Sequence, residues 1–126
     1  MQRTRAVVAL TAILGGAGMA HLLLPANFDV LVPGWMPGAA RTTTYVSGCV
    51  ELGTAMLVAV PRTRRVGGWL ALATFIGIFP ANIQAALDGG MHELRPPLGS
   101  AAVAWLRLPL QLPLFWLAVR VARSVR

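Results

Sequence analysis

The sequence predicts an all-α, polytopic membrane protein: a bundle of four transmembrane helices in one membrane domain over residues 1–126. Its hydrophobic fraction is 56% and its mean hydropathy is +0.67. Charged residues make up 12% of the chain, about half the usual share in soluble domains. Four apolar runs also have about the length that a bilayer core of roughly 30 Å requires.

The first run covers residues 6–24 and follows the basic segment MQRTR. Such a start, with the small residues AGMA further on, is also typical of a secretory signal peptide. Apolar residues continue past that point as HLLLP, so we expect a retained, membrane-spanning helix. The other runs cover residues 43–60, 66–87 and 101–121.

The connections between these runs differ in character. Residues 25–42 contain three prolines and several apolar residues, PANFDVLVPGWMP among them. Proline and glycine exclude one continuous helix there, and the apolar residues favour a segment lying partly in the membrane interface. The connection around residues 88–100 is polar and contains Gly-Gly and Pro-Pro breakers.

Arginine accounts for all eleven basic residues, and its positions predict the orientation. Three segments that alternate with the outer connections carry most of it: residues 1–5, 61–65 and 120–126. The positive-inside rule places these segments, and both termini, in the cytoplasm of a bacterial-type plasma membrane. Arginines at helix ends form no solvated basic face, so the net charge of +7 does not indicate nucleic-acid binding.

Polar side chains occur in every run at a similar depth. Counted from the outer helix ends at about 1.5 Å per residue, they fall in the outer half of the membrane. We predict an outward-opening polar pocket that binds a ligand, with these candidate residues: His21, Ser47, Glu51, Asn82, Arg107 and Gln111.

Glu51 and Arg107 are the charged members of this set. Because an isolated charge in hydrocarbon costs about 2.5–3.5 kcal/mol, we expect the two to form an ion pair. Three prolines, Pro80, Pro109 and Pro113, lie near the polar residues and free backbone carbonyls there. The alternative is structural, because buried polar groups also hold membrane helices together without binding a ligand.

Other chemistry finds little support in the sequence. His21, Glu51 and His92 match no metal-ligand spacing, so no metal site is predicted. Cys49 is the only cysteine, which excludes an intramolecular disulfide. The chain contains no nucleophile elbow, phosphate loop or dinucleotide fingerprint, so the sequence assigns no catalytic residue.

Several motifs, in order, resemble the DoxX-like membrane proteins. They are AGMAHLLLPANFDVLVPGWMP, the Ser-Gly-x-x-Glu pattern at Ser47–Glu51, FPAN in the third run and RLPLQ in the fourth. Met36 departs from the pattern, in which leucine usually precedes the corresponding proline. The resemblance implies a four-helix bundle in which His21, Glu51, Asn82, Arg107 and Gln111 belong to the family pattern.

The resemblance also implies an accessory subunit of a quinone- or thiol-linked membrane redox system, with a small polar or quinone-like group as the candidate ligand and an oxidoreductase as partner. The single cysteine argues against direct thiol chemistry. One alternative is a non-enzymatic assembly protein whose polar cluster is structural. A weaker alternative is a small-solute carrier that acts as a homo-oligomer.

Overall fold

Each of the four apolar runs lies, to within one residue, in a long helix of the computed structural model. The structure describes residues 2–90 and 99–124, except for the side chain of Gln2. The five helices are α1 (Gln2–Leu23), α2 (Pro25–Asp29), α3 (Ala40–Ala59), α4 (Arg64–Leu87) and α5 (Ala101–Arg123). The prediction of an all-α fold is therefore confirmed for the described residues. Most of the connection around residues 88–100, with His92 and Glu93, lies outside them.

Three of these helices, α1, α4 and α5, are long and apolar enough to cross a membrane. Many of their large apolar side chains face outward, as Val8, Leu87 and Leu112 do with more than 60% of their surface exposed. Three such helices indicate a multi-pass membrane protein. Helix α3 is less apolar, since its sequence includes Arg41, three consecutive threonines and Glu51.

The long helices form a ring in which α1 packs on α3, α3 on α4, and α4 on α5, while α5 closes the ring on α1. All four contribute to one apolar core, exemplified by Leu10, Val58, Phe75 and Val121. Helices α3 and α5 consequently lie diagonally across the bundle.

Glycines permit the closest helix contacts. A Cβ atom added at Gly67 would lie 2.6 Å from the backbone nitrogen of Val58. One added at Gly68 would lie 2.6 Å from the Cα of Ala122. Both positions leave no room for a side chain, so α4 approaches α3 and α5 along their backbones.

Local sequence explains several helix ends. Pro25 occupies the first turn of α2, where its missing N–H costs nothing. Arg64 donates to the carbonyls of Val58 and Ala59, at 2.8 and 3.0 Å, and so caps the C-terminus of α3. Ser100 accepts a hydrogen bond from the Val103 N–H and caps the N-terminus of α5.

Candidate functional site

A cavity of about 450 Å³ opens between α1, α3 and α4. It lies at the end of the bundle where α1 finishes and α3 begins. The segment after α1 covers it with Phe28, Leu31, Val32, Pro33, Trp35 and Met36. Its size lies within the usual range for small-molecule sites, about 300–1,000 Å³, and such sites are also mostly apolar with a few polar groups.

Three hydrogen bonds hold the covering segment, the residues between α1 and α3, in place. Asp29 accepts hydrogen bonds from the Thr44 hydroxyl at 2.7 Å and from Arg41 Nε at 2.8 Å. Trp35 Nε1 donates to Gln84 Oε1 on α4 at 2.9 Å. The hydrogen bond from Thr44, followed by that from Arg41, keeps the pKa of the Asp29 carboxyl below its ordinary value.

Glu51 is the buried acid of the cavity wall, and only 3% of its surface is exposed. Its Oε2 lies 3.1 Å from Nδ1 of His21 on α1. That same nitrogen lies 2.7 Å from the carbonyl oxygen of Ala17. A carbonyl can only accept, so Nδ1 carries a hydrogen and directs it to Ala17.

One hydrogen cannot serve two acceptors well, and Glu51 Oε2 is left without a hydrogen-bond partner among the described residues. The His21 contact is therefore electrostatic and strongest when the imidazole is protonated. A buried carboxylate oxygen with no donor is costly, because it has lost water and gained nothing equivalent. Such an atom in a cavity wall is a ready acceptor for a ligand's hydroxyl or N–H group.

His21 is held from two sides. Its ring stacks on Phe28 of α2, with centroids 3.9 Å apart and planes inclined by 24°. Behind it, α1 approaches α3 closely, since a Cβ added at Gly48 would lie 2.9 Å from the His21 Cβ. The glycine therefore brings the imidazole up against the wall that carries Glu51.

The structure brings together four of the six residues that the sequence predicts for the site. His21, Ser47, Glu51 and Asn82 all line the cavity. Thr43, Thr44 and Thr74 add further hydroxyl groups to its wall. The sequence reasoning missed Phe28 as the partner of His21; its only signal was an aromatic residue two turns beyond the histidine.

Arg107 and Gln111 lie on α5 and do not contribute to the described wall of this cavity. Arg107 is half-buried, and Gln111 is buried with its Oε1 lacking a hydrogen-bond partner among the described residues. The ion-pair contact that the structure gives Glu51 is with His21, not with the predicted Arg107. The physical reason is the ring, which places α3 and α5 on a diagonal.

Comparison with known proteins gives a family for the chain. No curated protein and no solved structure matches it. A family model described as a domain of unknown function, DUF8561, matches residues 10–122. That range contains every residue of the cavity wall. The chain therefore belongs to the DUF8561 family.

Proposed function

We propose that the chain crosses the membrane four times and that α3 is the fourth span. Helix α3 has 20 residues, which at about 1.5 Å each reach roughly 30 Å, the thickness of a bilayer core. Its buried residues, such as Glu51 and Val58, face the other helices. The arginine distribution then favours cytoplasmic termini and a cavity in the outer half of a bacterial-type plasma membrane.

The cavity, in this proposal, binds a small and mainly apolar molecule that carries a hydrogen-bond donor. The observation that carries the proposal is the partnerless Oε2 of Glu51 in the cavity wall. A ligand hydroxyl that donates a hydrogen bond to that oxygen would replace the hydrogen bond from water that burial removed. Ser47 and Asn82, which are half-buried in the same wall, supply further polar contacts that would orient the ligand.

A quinol fits this description, because its ring and tail are apolar while its hydroxyls donate. Bound there, it would place an O–H against Glu51, and His21 would stabilise the carboxylate electrostatically. Together with the resemblance to DoxX-like proteins, this supports an accessory role in a quinone-linked membrane redox system with an oxidoreductase partner. Cys49 lies exposed on α3 and is the only thiol, which favours the quinone over the thiol version.

The competing proposal is an assembly protein in which the cluster only joins helices. The close approach of α1 and α3 at Gly18 and Gly48 supports it, since the His21–Glu51 contact lies beside that seam. The two proposals differ in what happens to the partnerless oxygen. A bound ligand would donate a hydrogen bond to this oxygen, whereas in a purely structural cluster the oxygen would stay without a donor.

Melting of the detergent-purified protein with added decylubiquinol separates them. A ligand present at about 100 times its Kd stabilises the folded state by about 2.7 kcal/mol. We expect a rise in Tm for the wild type and for Thr54→Val, a buried neighbour on α3 outside the cavity wall. Glu51→Met, which removes the acceptor oxygen, should lose most of the rise. An equal rise in Glu51→Met, or none in the wild type, would remove the quinol proposal.

A further inference from the structure

A second cavity, of about 490 Å³, lies at the opposite end of the bundle. It is formed by the first turns of α1 and the last turns of α5. Arg3 contributes from α1, while Trp116, Arg120, Arg123 and Ser124 contribute from the end of α5. None of these residues belongs to the cavity that contains Glu51.

Among the described residues, the wall of this second cavity carries three guanidinium groups and no acidic side chain. The described acids of the chain, Asp29, Glu51 and Asp88, belong to the opposite end or the outer half of the bundle. Arginine's planar fork matches phosphate oxygens and donates two parallel hydrogen bonds to them. The charge and geometry therefore suit a phosphate group.

The wall also has an apolar part below the arginines. Trp116 is 58% exposed, and its ring lies 4.9 Å from the guanidinium carbon of Arg120. From Trp116 to Arg123, α5 rises by about 10 Å at roughly 1.5 Å per residue. Ala6 and Val119 add further apolar surface. A free phosphate would use only the arginines, whereas a phospholipid would use both parts.

We propose that this cavity binds the headgroup of an anionic phospholipid from the leaflet at the arginine-rich end. Arg3, Arg120 and Arg123 contact the phosphate, and Trp116 contacts the start of the acyl chains. Tryptophan is typical of this depth, where one side of its ring meets hydrocarbon and the N–H meets polar groups. The lipid thereby bridges α1 and α5, which are neighbours in the ring.

Native mass spectrometry of the full-length protein, titrated in detergent with dioleoyl phosphatidylglycerol or dioleoyl phosphatidylcholine, tests this site. The wild type should bind the first phosphatidylglycerol more tightly than phosphatidylcholine. The Arg120→Gln/Arg123→Gln variant should lose about thirtyfold in that affinity, because each arginine near an anionic headgroup contributes roughly a fivefold preference. Arg3→Gln, on the other helix, should lose about fivefold.

The matched control is Arg62→Gln/Arg65→Gln, which removes two exposed arginines at the same end of the bundle but outside the cavity. It should keep the wild-type affinity. An equal loss in both double variants would show general attraction to basic residues and overturn the site. Equal binding of both lipids, or displacement by soluble glycerol 1-phosphate at the same concentration, would also overturn it.

Discussion

Glu51 is the one acidic residue of α3. Its carboxylate is buried in the wall of an apolar cavity, near an imidazole that donates its hydrogen elsewhere. The hydrogen bonds and packing contacts of the described residues do not fully compensate the cost of burying this carboxylate. A buried group that lowers stability and has no compensating contact is typical of binding sites, where residues serve function at the expense of stability.

Glu51→Gln tests, without added ligand, whether the buried carboxylate lowers the stability of the folded protein. Because the amide is neutral and costs less to bury, we expect the free energy of unfolding to stay within about 1 kcal/mol of wild type or to rise. Unfolding in detergent, followed by circular dichroism, measures it. A loss of about 3–5 kcal/mol is the result for a structural ion pair and would contradict the interpretation.

The lowered pKa of Asp29 in the covering segment predicts that the stability of the protein depends on pH. Its pKa in the folded protein lies below the ordinary value of 3.8, mainly because Thr44 and Arg41 donate to it. The stabilisation is therefore present above the unfolded pKa and is lost as pH falls through the lower, folded pKa. We expect Tm to fall below about pH 4 in the wild type, and less so in Asp29→Asn. Gly53→Ala, the control, changes no ionisable group and should retain the wild-type slope.

The sequence predicts a common depth for the candidate site residues, because depth along a helix can be counted from its apolar run. Four of them, His21, Ser47, Glu51 and Asn82, line one cavity wall in the structure. The Glu51–Arg107 pair could not be predicted in this way. Counting gives the level of a residue in the membrane but not which helices are neighbours, and neighbours decide whether two charges meet.

At the scale of helices, the contact between α1 and α3 positions the site. A Cβ at Gly18 would lie 2.9 Å from the carbonyl oxygen of Gly48, and one at Gly48 would lie 3.1 Å from that of Gly18. These reciprocal contacts have no spare volume. Any side chain at either position must push the helices apart and withdraw His21 from Glu51.

Gly48→Ala should therefore destabilise the protein by about 1–3 kcal/mol through overpacking. Gly53 lies on the same helix with nothing within 4 Å of an added Cβ. Gly53→Ala should instead be neutral or stabilising, by up to about 1 kcal/mol, since alanine favours helix over glycine. Thermal melting of both variants measures these two changes in stability. Equal effects at the two positions would contradict the claim that the contact between α1 and α3 at Gly48 leaves no room for a side chain.

The proposed fourth span can be tested with the natural thiol. Cys49 is exposed on α3, about 14 Å from its first residue at roughly 1.5 Å per residue. If α3 crosses the membrane, lipid covers this side chain, and a membrane-impermeant maleimide should label it only after denaturation. Ala39→Cys in a Cys49→Ala background should label in intact cells. Labelling of Cys49 in intact cells would place α3 outside the membrane.

The apolar runs predict where the long helices lie but not where they end. Helix α1 starts at Gln2 and includes Arg3 and Arg5, because arginine favours helix and a change in polarity does not interrupt backbone hydrogen bonding. The short helix α2 was not predicted. The three prolines and two glycines of residues 25–42 predict an irregular segment, although proline at a first helical turn is favourable.

For the whole molecule, the ring of helices separates two chemical environments. One end has the cavity of Glu51 and His21 beneath a covering segment held by Asp29 and Trp35. The other end has arginines around a second cavity and a capped connection between α3 and α4. The first suits an apolar ligand with a donor group, and the second suits a lipid phosphate.

An experimental structure of the protein in lipid nanodiscs with decylubiquinol tests the central claim most directly. We predict ligand density between α3 and α4, with a ligand oxygen about 2.5–3.0 Å from Glu51 Oε2, the distance of an O–H···O hydrogen bond. Phe28 should still stack on His21. A closed cavity in which a protein side chain donates to that oxygen would contradict the claim, as would ligand density confined to the outer surface of the bundle.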